Sequence, residues 1–582
     1  MNKKLLFNGL VLSFLALGFA KAQNIEFEDD VFKTLLLGTY IPAYEFAHAE
    51  DENGNSIVID ANHDGEISQA EALNVYQLEI PLLRTSAFDA AVTSLKGIEY
   101  FTNLTVLRCE GRGNALSSLD VSALTKLKEL YCSPSLTTAS EFALGVRPLS
   151  NLTLPKTPTL EVLDISNSSV NNLDFLSGVP NLKKLYMDNI TLENINVSGF
   201  QHLEELSVTQ RIPNVTITLS DLPELTTLNS GASMFLYRNE LYLSYPDYYL
   251  SHPLNITLSL SNLPKITELK TQGKNITINN LPNLTKLDCS TFIYPADAYP
   301  CTVESLVLSG VPKLTEINAN NHALKTLDLS NVPNLVTLLL WGRNNDWGNI
   351  DWTPTLENLD VSKNINLQAM NLSDNNISTL DVSKNINLKR LSLNGNNLKT
   401  LDVSYNINLV QLELGYGIAS LYMKNGVKKT FAFGGAGGYY FSDNSEFEYY
   451  AFNAGNLNTL EFICCDEDEI DALKDFIKEI NEEYSQTLNP TVTSDCEPYG
   501  LGTEDLSPQA KVTLYPNPVK DMLYFSASGK VAKAEIYDLN GRLIKTAAVS
   551  NNSVNVSSLS KGVYFIILHT DKGTVKEKFI KN

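Results

Sequence analysis

The chain has 582 residues, 43% hydrophobic and 19% charged, values of a folded rather than a disordered protein. Its 44 basic and 66 acidic residues leave a net charge of −22. Such a surface repels nucleic-acid phosphates and anionic lipid headgroups, so nucleic acid is excluded as a partner; a cationic partner, a neutral glycan or a divalent metal suits the charge.

Residues 1–22 predict a secretory signal peptide. Lys3 and Lys4 precede an apolar run from Leu5 to Ala20, and Ala20-Lys21-Ala22 supplies the small-x-small cleavage pattern. A membrane anchor fits less well, because the apolar run is short and a cleavage pattern follows it. No other stretch approaches the ~20 apolar residues of a spanning helix, so no transmembrane segment is expected in the mature chain.

Residues 23–95 lack repeats and read as an N-terminal cap. Phe27, Val31, Phe32, Leu35 and Leu36 fall at helical spacing behind Glu28, Asp29 and Asp30. The segment DANHDGEISQAE, Asp60 to Glu71, then follows the grammar of a calcium loop. Its oxygen donors would be Asp60, Asn62, Asp64, the Glu66 carbonyl, Ser68 and Glu71, with Gly65 at the sharp turn and Ile67 as the core anchor. Calcium in a structural role is the expectation; a metal-free loop held by Asp and Asn side chains on backbone is the alternative.

From residue 96 to 460 the chain repeats. Segments starting at Leu359, Leu380 and Leu401 align without gaps at a period of 21, as LDVSKNINLQAMNLSDNNIST, LDVSKNINLKRLSLNGNNLKT and LDVSYNINLVQLELGYGIAS. Each carries L-x-x-L-x-L-x-x-N-x-L or a close variant, complete in Leu388, Leu391, Leu393, Asn396 and Leu398. Relaxed copies run upstream to Leu104–Cys109. This pattern resembles the leucine-rich-repeat family, which implies a solenoid of the α/β type, mostly short parallel strands joined by loops. The two leucines of L-x-L should face inward from one strand, and Leu359/Val361, Leu380/Val382 and Leu401/Val403 from the opposite wall. Asn375 and Asn396 should satisfy backbone groups at the bends. The cap with its acidic loop resembles those of other exported bacterial leucine-rich-repeat proteins.

Insertions interrupt the period and are aromatic. Trp341, Trp347 and Trp352 share one of them, and tyrosines crowd Tyr237–Tyr249, Tyr294–Tyr299 and Tyr439–Tyr450. They read either as recognition anchors or as lids over irregular coils. On the regular coils, Lys389, Arg390, Gln411 and Glu413 occupy outward strand positions. Trp341, Trp347, Trp352 and these four are the candidate binding residues.

Residues 461–485 predict a capping helix with the stripe Ile470, Leu473, Phe476, Ile477 and Ile480. Residues 486–511 read as a linker, and 512–582 as an antiparallel β-sandwich. The last segment resembles the type A C-terminal sorting domain of type IX secretion cargo. The resemblance is carried by Tyr515-Pro516-Asn517-Pro518, Ile536-Tyr537-Asp538-Leu539-Asn540-Gly541-Arg542, Gly562-Val563-Tyr564-Phe565 and the basic end Lys576–Lys581. It implies a partner in the type IX machinery and a destination at the cell surface or in the medium.

Of the seven cysteines, Cys109 and Cys132 read as core residues. Cys289 and Cys301 could pair, as could Cys464 or Cys465 with Cys496. The histidines, His322 among them, are scattered and no catalytic motif stands out, so an enzyme is not expected. The expected role is recognition of a protein on a cell surface; a carbohydrate-binding adhesin and a passive matrix component are the alternatives.

Overall fold

The computed structural model describes residues 23–38, 47–80, 92–111, 115–133, 149–210, 214–232, 255–291, 302–342, 356–414, 417–428, 431–433, 449–452, 459–484, 487–496, 513–526, 531–537, 543–547, 549, 552–570 and 573–582. The signal-peptide residues, Trp347, Trp352, Cys301 and nearly all of the tyrosine clusters lie outside them. The chain divides into two compact units, Met1–Cys496 and Glu497–Asn582.

In the first unit the L-x-L segments form a parallel ladder. It starts at Gln77–Glu79, passes through Val106–Arg108, Glu129–Tyr131, Val162–Asp164, Lys184–Tyr186 and Glu205–Gln210, and continues coil by coil to Ala369–Asn371, Arg390–Ser392 and Gln411–Leu414. Ala369 pairs with Arg390 and Arg390 with Gln411, which is the 21-residue period realised as register. The insertions do not break it: Ser230 pairs with Thr271, and Thr337 with Ala369 across the tryptophan-bearing segment. Beyond Gln411–Leu414 chain order reverses, because Tyr449–Phe452 lies between that strand and Phe431–Phe433.

Leu388, Leu391, Leu393 and Leu398 are all buried, as period-2 alternation and the closing turns require. The expected short parallel strands joined by loops hold for this long sheet, and the return side of the coils carries 3-10 turns at Ile98–Tyr100 and Asp174–Gly178. On the opposite wall Asn194–Ser198, Val215–Ser220, Ile256–Ser261, Asn275–Asn279 and Ser305–Ser309 form a second parallel sheet. The cause is local. Ile256, Leu258 and Leu260 alternate with Thr257, Ser259 and Ser261, and β-branched or apolar residues alternating with hydroxyls suit a half-buried strand. Further along, Thr400–Asp402, Ser420–Tyr422 and Phe462–Cys464 continue this wall in a separate sheet.

Two asparagine columns stitch the regular coils. Asn375 Nδ2 donates to the carbonyls of Leu340 and Leu372 (2.7 and 3.0 Å), and Asn396 Nδ2 to those of Leu372 and Leu393 (2.8 and 3.0 Å). On the other wall Asn385 donates to Val361 and Asn364, and Asn406 to Val382 and Asn385, at 2.9–3.1 Å. Asn375 and Asn396 thereby pair carbonyls of their own and the preceding coil, while Asn385 and Asn406 each reach two carbonyls of the preceding coil.

The cap is less helical than expected. The helix Asp30–Leu36 starts where Asp29 accepts the N–H groups of Val31 and Phe32, and a second helix, Gln69–Ala72, spans only one turn. Between them, His48–Glu50 pairs antiparallel with both Ser56–Ile57 and Gln77–Glu79, so the cap joins the array through its sheet. At the other end the helix Ile470–Tyr484 buries Leu473, Phe476 and Ile480. The segment expected as a linker begins with a strand: Thr491–Thr493, β-branched throughout, pairs with Phe462–Cys464. Cys464 and Cys496 form a disulfide beside it, while Cys109, Cys132, Cys289 and Cys465 are buried outside any disulfide.

In the second unit Thr513–Tyr515, Met522–Ser526 and Ser553–Asn555 form one antiparallel sheet. Leu543–Ala547, Val531–Tyr537, Gly562–Thr570 and Gly573–Lys581 form another. Leu523, Phe525 and Val554 from the first share a single core with Ile536, Ile566, Leu568 and Phe579 from the second. Asn517 of the Tyr-Pro-Asn-Pro motif donates to the Lys578 carbonyl (3.1 Å) and accepts the Ile580 N–H (2.8 Å), locking the motif to the basic last strand.

Candidate binding surface

The Asp60–Glu71 loop closes on its own carboxylates. Asp60 accepts the N–H groups of Asp64 (3.2 Å) and Gly65 (3.0 Å), Asn62 Oδ1 that of Asp64 (2.8 Å), and Asp64 that of Glu66 (2.9 Å). Glu71 Oε1 accepts from Ala61 (3.0 Å), and Oε2 from both the backbone and hydroxyl of Ser68 (2.8 Å each). Gly65 takes φ 80°, the left-handed turn expected of it, and Ile67 is fully buried. The Glu66 side chain pairs with Lys33 at 2.8 Å, tying the loop to the first helix. Among the described residues no three His, Cys, Asp or Glu side chains gather as a metal-ligand group. The loop thus has the spacing of a calcium site, while its carboxylates are engaged by backbone donors.

Of the sequence-predicted binding residues, Arg390 and Gln411 are register partners on adjacent strands, Trp341 stands two coils earlier, and Trp347 and Trp352 lie outside the described residues. Trp341 is half-buried, its indole Nε1 donating to Asp374 at 2.7 Å and its backbone N–H to Asn320 at 2.9 Å. Lys389 is exposed and Arg390 half-buried. Gln411 is only 9% exposed, despite its outward position, and donates to Glu413 (2.9 Å), which also accepts from Ser392 (2.6 Å). Strand Tyr449–Phe452, paired alongside, places Tyr449 opposite Gln411.

A denser constellation stands at the other end of the same sheet. Register places Arg108, Tyr131, Asp164 and Tyr186 in one outward column on four successive strands. The Arg108 guanidinium lies 3.7 Å from the centre of the Tyr131 ring, and the Tyr131 hydroxyl donates to Glu129 at 3.0 Å. Asp164 accepts the Ser166 N–H at 2.9 Å. Asp188 accepts the Ser207 and Thr209 hydroxyls (2.8 and 2.7 Å) and the Thr209 N–H at 2.6 Å. Burial pushes the Asp164 carboxyl above the usual range, and nearby Asp188 pushes it further. Glu110 is raised by burial and then by Asp164. Val162, outward-facing between Glu129 and Lys184, is only 8% exposed. Sequence reasoning passed over this column because its members were treated as repeat filler. The signal was the middle residue of Leu130-Tyr131-Cys132, Leu163-Asp164-Ile165 and Leu185-Tyr186-Met187.

His322 occupies the place that Asn375 and Asn396 hold in their coils. It is 3% exposed, with Nε2 3.1 Å from the Leu340 carbonyl and Nδ1 accepting the Leu324 N–H at 3.0 Å. Burial lowers its pKa to about 4, so it is a neutral core residue.

The family model of the secretion system C-terminal sorting domain matches residues 513–582. The second unit is therefore a type IX sorting domain, and the protein is exported to the cell surface or beyond it. The beta-agarase D of Zobellia galactanivorans is 32% identical over 108 residues, 18% of this chain and 21% of that protein; the chain spans about a fifth of that relative's length. The functional domain of InlJ from Listeria monocytogenes, described as including a cysteine ladder, is 16% identical, with 89% of this chain and 93% of that one covered and a TM-score of 0.29. A leucine-rich-repeat protein of Leptospira interrogans is 15% identical, with 73% and 97% covered and a TM-score of 0.27. Likeness at this level adds nothing to what the strand register establishes. No helix among the described residues is long and apolar enough to cross a membrane.

Proposed function

We propose that this exported leucine-rich-repeat protein is a binding module, not an enzyme, and that the outward face of its long sheet engages a protein at a cell surface. The observation that supports this most is the Arg108–Tyr131–Asp164–Tyr186 column, in which aromatic, cationic and anionic side chains stand side by side on rigid strands. A capture experiment tests it. The full secreted chain, immobilised, should retain surface proteins of neighbouring cells, and Tyr131→Ala with Tyr186→Ala should lose most of them. Equal capture by the double variant removes this face from the reading. Turnover in a broad hydrolase screen overturns the non-enzymatic role.

A carbohydrate-binding adhesin is the second reading. It draws on the three tryptophans gathered in one insertion of the sequence and on the 108-residue likeness to a protein named for agar hydrolysis. Specific hits on a glycan array, with no retained protein, would favour it.

Calcium remains part of the proposal as a structural ion of the cap. Asp60, Asn62, Asp64, the Glu66 carbonyl, Ser68 and Glu71 supply hard oxygen donors at the right spacing, and would hold the ion if Glu71 turned from the backbone toward it.

A further inference from the structure

The column on strands Glu129–Tyr131, Val162–Asp164 and Lys184–Tyr186 contains an unbalanced charge. Asp164 stands between Tyr131 and Tyr186, whose backbones lie about 10 Å apart at two strand spacings. Its carboxylate neighbours are Asp188 and Glu110. The nearby cations are committed elsewhere: Arg108 faces Glu110 (3.8 Å) and Glu129 (3.9 Å), and Lys184 pairs with Glu205 at 3.2 Å. Among the described residues no lysine or arginine pairs with Asp164 or Asp188.

Partly buried carboxylates crowded together without a cation cost stability, and a cation brought between them recovers it. The flanking rings supply the second half of a cation site. A tyrosine face attracts a guanidinium or ammonium group, and the Arg108–Tyr131 contact at 3.7 Å shows one ring of this column already doing so. Tyr186 presents the same chemistry on the far side of Asp164.

We infer that Asp164, between Tyr131 and Tyr186, seats a basic side chain, arginine or lysine, of the protein partner. This rests on the binding role proposed above and names the chemistry of the partner. An arginine fits doubly, since its flat guanidinium can lie against a ring while its edge meets the carboxylate. A metal ion fits less well, because rings occupy both flanks where oxygen ligands would be needed. A neutral sugar would stack on the rings and leave the carboxylate repulsion unrelieved.

The test uses the full secreted chain and a fluorescent octa-arginine peptide, with an octa-citrulline peptide of the same shape and no charge as its control. Octa-arginine should bind, with Asp164→Asn weakening it at least about tenfold and Tyr186→Leu about three- to tenfold. Glu482→Gln removes the same charge from the C-terminal helix and should change affinity less than about twofold. Lowering the pH from 7 to 4 should weaken binding to the native chain more than to Asp164→Asn, because protonation empties the seat. Circular dichroism confirms that each variant is folded, and Tyr186→Leu carries the test if Asp164→Asn is not.

Equal losses for Asp164→Asn and Glu482→Gln would reduce the effect to general acidity and overturn the inference, as would equal binding of octa-citrulline. Competition by an agar oligosaccharide at the Tyr186-dependent site would overturn it in favour of a glycan. If surface proteins are captured equally by native chain and Asp164→Asn, the inference fails while the binding role stands. If octa-arginine binds through Asp164 but no surface protein is retained, the seat stands and the binding role fails.

Discussion

The indole Nε1 of Trp341 donates to Oδ2 of Asp374, 33 residues later, at 2.7 Å. Asp374 sits in the left-handed region at φ 56°, and its backbone accepts no added atom from the coils on either side: a Cβ at Gly342 would collide with its carbonyl, and one at Gly395 with its carboxylate. Trp341 therefore fastens the root of the aromatic insertion to the next coil, whatever Trp347 and Trp352 do beyond it.

Gly395→Ala should destabilise the array by about 2–4 kcal/mol, since it combines a positive φ (68°) with a steric clash. Trp341→Phe keeps the ring and loses one hydrogen bond to a carboxylate, a cost of about 1–2 kcal/mol. Urea denaturation of the two variants checks the order. A larger loss for Trp341→Phe would show that the indole contact matters more than the backbone fit.

Burial holds the His322 pKa near 4, below the ordinary 6.5. A histidine kept neutral in the fold gives stability that is whole above pH 6.5 and lost as pH falls toward 4, about 3 kcal/mol in all. His322→Asn restores the amide found at Asn375 and Asn396. Its melting temperature should fall less than that of the native chain between pH 7 and pH 4.5. Parallel curves would place the acid sensitivity elsewhere.

Asn385 is fully buried and pairs two carbonyls, at 3.1 and 2.9 Å. Asn385→Ala leaves both without that donor and should cost about 2–4 kcal/mol. Asn387→Ala one turn away removes a single exposed bond to the Ile365 carbonyl (3.1 Å) and should cost under about 1 kcal/mol. Thermal melts of the pair measure the difference, which vanishes if the buried column is dispensable.

For the cap, millimolar calcium should raise the melting temperature by several degrees over a chelator-treated sample, by mass action on the folded state. Asp60→Ala should abolish that rise. A calcium-independent melt would mean that the loop is held by its Asp and Asn side chains alone.

The repeat was legible because a 21-residue period and inward leucines are properties of each coil taken separately. Asn375 and Asn396 were legible for the same reason, and the stripe Leu473, Phe476 and Ile480 because helical spacing is local. On the opposite wall the inward residues were legible but the element type was not: Ile256, Leu258 and Leu260 stand in a phrase whose alternation with hydroxyls is itself a strand signal. Asn364, Asn385 and Asn406 recur at 21-residue spacing and were available, yet their burial depends on how one bend stacks on the next. Gln411 and Tyr131 show the remaining limit. Whether an outward residue is covered or displayed is decided by its neighbours on the adjacent coils, which no local pattern records.

The antiparallel strand His48–Glu50 has a consequence at the level of populations of molecules. A parallel sheet built from near-identical coils offers each free edge as a template for another chain, and repeat proteins stacked end to end would grow as fibres. Here the first parallel strand, Gln77–Glu79, is already taken by a strand running the other way, and behind that, among the described residues, lies only the two-residue strand Ser56–Ile57, with Ser56 in solvent. An incoming copy meets the wrong direction and almost no length to pair with. A protein exported to the cell surface or beyond is thereby denied one route to polymerisation on its way.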